Sequence, residues 1–142
     1  MTTSVVIDAS FAFKLVLPGV HQEHCRALAA EWARQGSVLY APSLWLFEMT
    51  SAVCKTVHFG ELSPEEGRQA LALVQGLGVR MIPPDTLQVS RAVDWTLRLQ
   101  RATACDSFYL ALAETLSAEL WSADRRLQNA TGLPWVRWVG EA

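Results

Sequence analysis

Ser4-Val5-Val6-Ile7-Asp8-Ala9-Ser10 is the stretch that decides the fold. A short apolar run stops abruptly at a carboxylate, which reads as a buried strand followed by the start of a helix. Glu119-Leu120-Trp121-Ser122-Ala123-Asp124 repeats the pattern late in the chain, with a helical turn expected after the aspartate. Val38-Leu39-Tyr40 and Val79-Arg80-Met81-Ile82 give two more strands, and Pro134 to Val139 a last one with two tryptophans among valines.

The segments between these runs have helical character. Residues 9–17 form a short helix stopped by Pro18-Gly19, and Cys25, Leu28, Ala29 and Trp32 mark one face of a helix from His21 to Arg34, ended by Gly36. Pro42-Ser43 opens a helix to about Phe59. Ser63-Pro64-Glu65-Glu66 combines an N-cap serine, a proline at the first helical position and a glutamate at the third, and its helix stops near Gly76-Leu77-Gly78. A further helix runs from about Thr86 to Arg101, and another starts at Thr103-Ala104-Cys105-Asp106. Strands alternating with helices predict an α/β fold: one domain over residues 1–142, with a mostly parallel sheet of about five strands flanked by helices.

The bulk properties narrow the function classes. A chain of 142 residues makes one domain and buries roughly 70% of its unfolded surface. It is 51% hydrophobic and 18% charged, an ordinary globular balance without a disordered signature. No apolar run approaches the ~18 residues of a membrane span, and Met1-Thr2-Thr3-Ser4 lacks the basic flank of a secretion signal, so a cytoplasmic, membrane-free protein is expected. Cys25, Cys54 and Cys105 have no zinc or redox spacing and read as buried reduced thiols; His21 and His24 lack a nearby third ligand. A net charge of −2 argues at first against nucleic acid. Neutralising four of the 14 acids with cations, however, leaves 10 acids against 12 basic residues. Bulk charge decides nothing here.

Position decides more. Sites in open parallel sheets form at the carboxyl ends of strands. Asp8 follows the first strand, Glu48 lies in the second turn of the helix after the second, and Asp124 follows the fourth by two residues. Asp106 opens the helix leading to the fourth strand. Asp8 and Asp124 also fit helix N-caps, Thr103 to Asp106 a variant capping box, and Glu48 a helix surface position, although Leu44, Leu46 and Phe47 make its neighbourhood apolar. Singly, each acid favours the cap. Jointly, four carboxylates at strand-end positions favour a site, while Asp85 reads as a cap only. Two carboxylates ~4 Å apart repel by roughly 4 kcal/mol at an effective dielectric near 20, so such a cluster persists only with bound cations or shared protons. Oxygen ligands without histidine or cysteine select Mg²⁺ or Mn²⁺.

Taken together, Val6-Ile7-Asp8-Ala9-Ser10, Pro42-Ser43 with Glu48, Cys105-Asp106-Ser107-Phe108-Tyr109-Leu110-Ala111-Leu112-Ala113 and Leu120-Trp121-Ser122-Ala123-Asp124-Arg125-Arg126-Leu127 resemble the blocks of the PIN-domain superfamily. Block order and length match over essentially the whole chain, and the nearest likeness is to VapC-type toxin ribonucleases of type II toxin–antitoxin systems. Two positions depart from the family pattern: Ser51 stands where asparagine is frequent, and Ser122 where threonine is frequent. Both leave the carboxylates intact and alter their surroundings.

The resemblance implies a Mg²⁺- or Mn²⁺-dependent endoribonuclease that hydrolyses RNA phosphodiester bonds, with Asp8, Glu48, Asp106 and Asp124 holding one or two ions and Asp8 and Asp106 as direct ligands. Ser10 and Ser122 would orient carboxylates or water, or act as helix caps. Lys14, Arg101, Arg125 and Arg126 lie near the motifs and would contact RNA phosphates, solvated helix faces being the plain alternative. Phe11, Phe13 and Trp45 read as core in preference to a partner groove. A homodimer masked by a cognate antitoxin is also implied. Rival readings are a PIN nuclease of RNA processing or quality control and a PIN-like binding module without catalysis. A phospho-receiver domain is disfavoured, because it normally needs a late lysine and no lysine follows Lys55.

Overall fold

The computed structural model describes residues 3–141. Ser4–Ile7 forms strand β1, and its last three residues are buried, as expected of a strand covered on both faces. The other strands are β2 (Val38–Pro42), β3 (Arg80–Ile82), β4 (Glu119–Ser122) and β5 (Val136–Trp138). They form one sheet in the order β3-β2-β1-β4-β5, and every neighbouring pair is parallel. The chain first builds outward from β1 through β2 to β3, then returns to the other side of β1 with β4. The order therefore reverses between β1 and β4, where Ile7 pairs with Trp121. Crevices at the carboxyl ends of strands open at such reversals.

The helices are α1 (Ala9–Val16), α2 (Gln22–Gln35), α3 (Leu44–His58), α4 (Pro64–Gln75), α5 (Thr86–Arg98), α6 (Cys105–Leu116) and α7 (Arg125–Thr131). Helix α6 packs against β1 and β2, and α1 against β4, so the helices bearing the acidic motifs lie on the central strands. Trp45, Tyr109, Phe11, Ile7, Met49 and Leu110 are the largest fully buried side chains, which places Phe11 and Trp45 in the core as expected. Helix α4 opens with the full capping box of Ser63 and Glu66, and Asp85 caps α5 through Gln88 N–H. Gly67 lets α4 approach α3 closely, because a Cβ there would lie 2.8 Å from Val57 Cγ2.

Several local expectations need correction. Helix α5 stops at Arg98 instead of reaching Arg101, because Gln100 turns into the left-handed region and the N–H groups of Leu99, Gln100 and Arg101 fold back onto the last turn. The capping box from Thr103 to Asp106 does not form. Ala104 is the N-cap of α6 and supplies no side-chain bond, so Thr103 lies one residue outside the position the box requires. The last strand covers only Val136–Trp138, after which the chain tightens into a 3₁₀ turn at Val139–Glu141. Only Cys25 is a buried thiol; Cys54 and Cys105 sit on exposed positions of α3 and α6. No helix among the described residues is long and apolar enough to cross a membrane.

Candidate active site

Asp8 follows the central strand directly. Its N–H donates to the carbonyl of Trp121 at 3.2 Å, which extends the β1–β4 pairing to the aspartate itself. Asp8 Oδ1 accepts from Phe11 N–H at 2.9 Å and from the Ser10 hydroxyl at 2.7 Å. The carboxylate is thus the N-cap of α1 and faces the strand ends. Trp45 Nε1 donates to the Asp8 carbonyl at 3.2 Å, tying α3 to the same backbone.

A pair of serines joins the first turn of α1 to the end of β4. Ser10 Oγ lies 3.1 Å from Ser122 Oγ, and Ala123 N–H donates to Ser10 Oγ at 3.0 Å. Ser122 Oγ in turn accepts from Asp124 N–H at 2.9 Å. These bonds fix the Asp124 backbone relative to Asp8, although the two acids are far apart in sequence. Both serines therefore orient the acid-bearing segments.

Asp8, Asp106 and Asp124 line one cleft of about 380 Å³ together with Arg101, Ser122, Arg126 and Leu127. Asp106 enters from the first turn of α6, where it supplies no cap. The helix does not need its charge for capping, so the plain reading of this residue fails. Asp124 does cap its helix: Oδ1 accepts from Arg126 N–H at 2.9 Å. Leu127, a wall of this cleft, carried no sequence signal beyond its apolar character. An apolar cleft between α3 and α4, lined by Val53, Val57 and Leu71, contains no carboxylate.

Glu48 stands beside this group without lining the cleft. Tyr109 O–H, projecting from α6, donates to Glu48 Oε1 at 2.6 Å. Tyr109 lies three residues beyond Asp106 and so on the same face of α6, which is the one signal that links it to the site. Reading the acids alone had missed it.

The basic residues divide. Arg101 Nη1 donates to Asp106 Oδ2 at 3.3 Å, and Arg126 Nη2 to Asp124 Oδ2 at 2.7 Å. Both line the cleft. Arg125 instead lays its guanidinium over the Trp138 ring, 4.9 Å from the centroid. Lys14, in the last turn of α1, is not among the residues lining the cleft.

Electrostatics separate the acids as well. Burial pushes the Asp8 carboxyl up to about 6; the bonds from Ser122, Phe11 and Ser10 oppose that shift and the negative charge of Asp106 adds to it. Burial also raises Glu48, against the Tyr109 bond and with a contribution from Asp106. The Arg126 bonds hold Asp124 below the usual carboxylate range. Burial, and then the bond and charge of Glu48, push the Tyr109 phenol upward, so it remains a donor. The deepest acid therefore lacks a cation while the outer ones have arginines.

The donor set fits a hard divalent cation: several carboxylates, two hydroxyls, and a half-buried acid whose ionised form is disfavoured as it stands. Among the described residues no three acids enclose an ion as placed. Arg126 draws Asp124 outward and Tyr109 holds Glu48, so closure on an ion requires side-chain movement.

An acid-lined cleft at the order reversal of a parallel five-stranded sheet defines an α/β domain with a cation-type polar site. The chain belongs to the PIN domain family, whose model matches residues 5–133. It is 33% identical over 130 residues to Ribonuclease VapC1 of Mycobacterium tuberculosis, covering 91% of this chain and 92% of that protein. Among solved structures, PAE2754 from Pyrobaculum aerophilum superposes with a TM-score of 0.68 at 19% identity, over 92% of this chain and 80% of that one. VapC20 of M. tuberculosis, described as a sarcin-ricin loop cleaving toxin, gives 0.68 at 17% identity over 94% and 98% of the two chains. A toxin-antitoxin complex from Klebsiella pneumoniae gives 0.65 at 12% identity over 95% and 97%. The sequence resemblance is thereby established as family membership, and these structures share its fold.

Proposed function

We propose that this chain is a metal-dependent endoribonuclease that cleaves RNA phosphodiester bonds, and that it is the toxin of a toxin–antitoxin pair. The observation that carries the reading is the convergence of Asp8, Asp106 and Asp124 on one cleft. Its support is the one-third identity to a protein named as a ribonuclease, spread over nine-tenths of both chains. Asp8 and Asp106 would be direct ligands of Mg²⁺ or Mn²⁺, with Glu48 and Asp124 completing the shell directly or through water. A bound ion acidifies water to supply hydroxide and stabilises charge on the leaving oxygen.

The chain's own residues supply the rest. Ser10 restrains the Asp8 carboxylate, and with Ser122 it locks the Asp124 segment beside it. Tyr109 fixes Glu48 in its ionised, acceptor-only role. Arg101 and Arg126 stand at the cleft as donors for phosphate oxygens. Arg125 and Lys14 have no such placement and are left out of the phosphate-binding set.

Incubating a total-RNA pool with Mg²⁺, Mn²⁺ or EDTA, beside an identically purified Asp106→Asn variant, tests this reading. Metal-dependent fragments are expected from the wild type alone. Equal fragments from both proteins, or none with any metal from antitoxin-free protein, would overturn it.

The same reading includes self-association and a cytoplasmic setting. Val89, Val93 and Leu97, at four-residue spacing on α5, are exposed apolar side chains suited to a second copy. Light scattering should then give the mass of two chains, and the mass of one would remove the dimer.

A further inference from the structure

The two arginines of the cleft already occupy the acids that the ion would need. Arg126 Nε donates to both carboxylate oxygens of Asp124 at 3.1 Å, and Nη2 adds a bond of 2.7 Å to Oδ2. Arg101 binds Asp106 from the other side at 3.3 Å. Two guanidinium charges thus stand against two outer carboxylates, the same positive charge that one divalent ion carries. The Arg126 side chain is 87% exposed, so nothing packs it in place, and an exposed ion pair costs little to open.

We propose that Arg101 and Arg126 are internal counter-ions, which a divalent cation displaces from Asp106 and Asp124 and which the RNA phosphate then recruits. The inference rests on the metal-site reading above and extends it to the order of events. Without the ion, the arginines neutralise the outer acids and the cleft offers a phosphate no unengaged guanidinium. Entry of the ion takes over both carboxylates and leaves two guanidinium groups at the mouth without anionic partners. Guanidinium geometry then suits a phosphate as well as it suited the carboxylate. Cation and RNA binding become mutually reinforcing, and that coupling is necessarily reciprocal.

Mn²⁺ titration, followed by the EPR signal of the free ion, tests the first half on the whole chain without any turnover. Arg126→Ala and Arg101→Ala should each bind Mn²⁺ about 3- to 10-fold more tightly than wild type, because the ion no longer competes with a guanidinium. Arg125→Ala removes the same charge from a side chain stacked on Trp138 and should bind as wild type does. Equal affinities for wild type and Arg126→Ala would overturn the inference. So would equal tightening in all three variants, which would reduce the effect to overall charge.

The second half is read from a single-stranded RNA oligomer bound in Ca²⁺ or in EDTA. Wild type should bind the oligomer more tightly with the ion, and Arg126→Ala should lose most of that gain, with a salt slope smaller by about one. An undiminished gain would end the recruitment step. Failure of every protein, wild type included, to bind Mn²⁺ would instead end the metal-site reading itself.

Discussion

Asp8→Asn is expected to lower cleavage by about 10²- to 10³-fold while raising the melting temperature of the metal-free protein at neutral pH. The two effects have one source. Asp8 is placed where its charge is costly, with burial raising its carboxyl from 3.8 to about 6. A raised folded-state value means that the group's contribution to stability is fully present below about pH 3.8 and is lost as pH rises through about 6. Above pH 7 the ionised carboxylate costs the metal-free fold up to about 3 kcal/mol, partial exposure reducing that ceiling. Asparagine removes the cost and keeps the cap, since its oxygen accepts equally well from Phe11 N–H and the Ser10 hydroxyl. Scanning calorimetry in EDTA should show a rise of about 5 °C at pH 7.5, shrinking toward zero near pH 4. Excess Mn²⁺ should stabilise the wild type and leave the variant unmoved. A fall in melting temperature at both pH values would mark Asp8 as a structural residue only.

Tyr109→Phe is expected to reduce cleavage by about 10- to 100-fold without touching any cleft-lining acid. The phenol donates at 2.6 Å to a carboxylate that burial already disfavours, a short charge-assisted bond. Without that bond Glu48 shifts further upward and its ionised form loses its one observed donor. A stability loss of about 1–3 kcal/mol should accompany the change above the Glu48 pKa and fade at acid pH, where the glutamate is protonated in both proteins. Weaker Mn²⁺ binding in the same variant would place Glu48 in the ion's shell. Unchanged cleavage together with lost stability would return both residues to the core.

The centre of the sheet was legible because the last three residues of β1 and of β4 are buried and read as short apolar runs. Asp8 and Asp124 were legible for a related reason, each lying within two residues of a strand end. Their second role as N-caps was legible too and is observed, and because each cap bond uses only Oδ1 it leaves Oδ2 for the ligand role proposed above. Arginine pairing was not legible. Arg126 grips Asp124 from two residues away, but Arg125 is nearer still in sequence and turns to Trp138. Local spacing cannot separate two adjacent arginines when their destinations are set by the ends of β4 and β5. The Tyr109–Glu48 bond spans α6 and α3, so it depends on packing that no local pattern encodes. The exposure of Cys54 and Cys105 was misread because thiols are commonly buried, whereas the helix faces that carry them here are not.

The position of β4 beside β1 has a consequence during synthesis. A nascent chain that has emerged through β3 already carries Asp8 and Glu48, yet neither Asp106 nor Asp124 has left the ribosome. The groove beside β1 remains empty of its later neighbour, and the Ser10–Ser122 clasp has no second half. On the proposed reading of the site, hydrolytic competence is therefore withheld until Asp124 has been made, and a translation product broken off before α6 lacks two of the four acids.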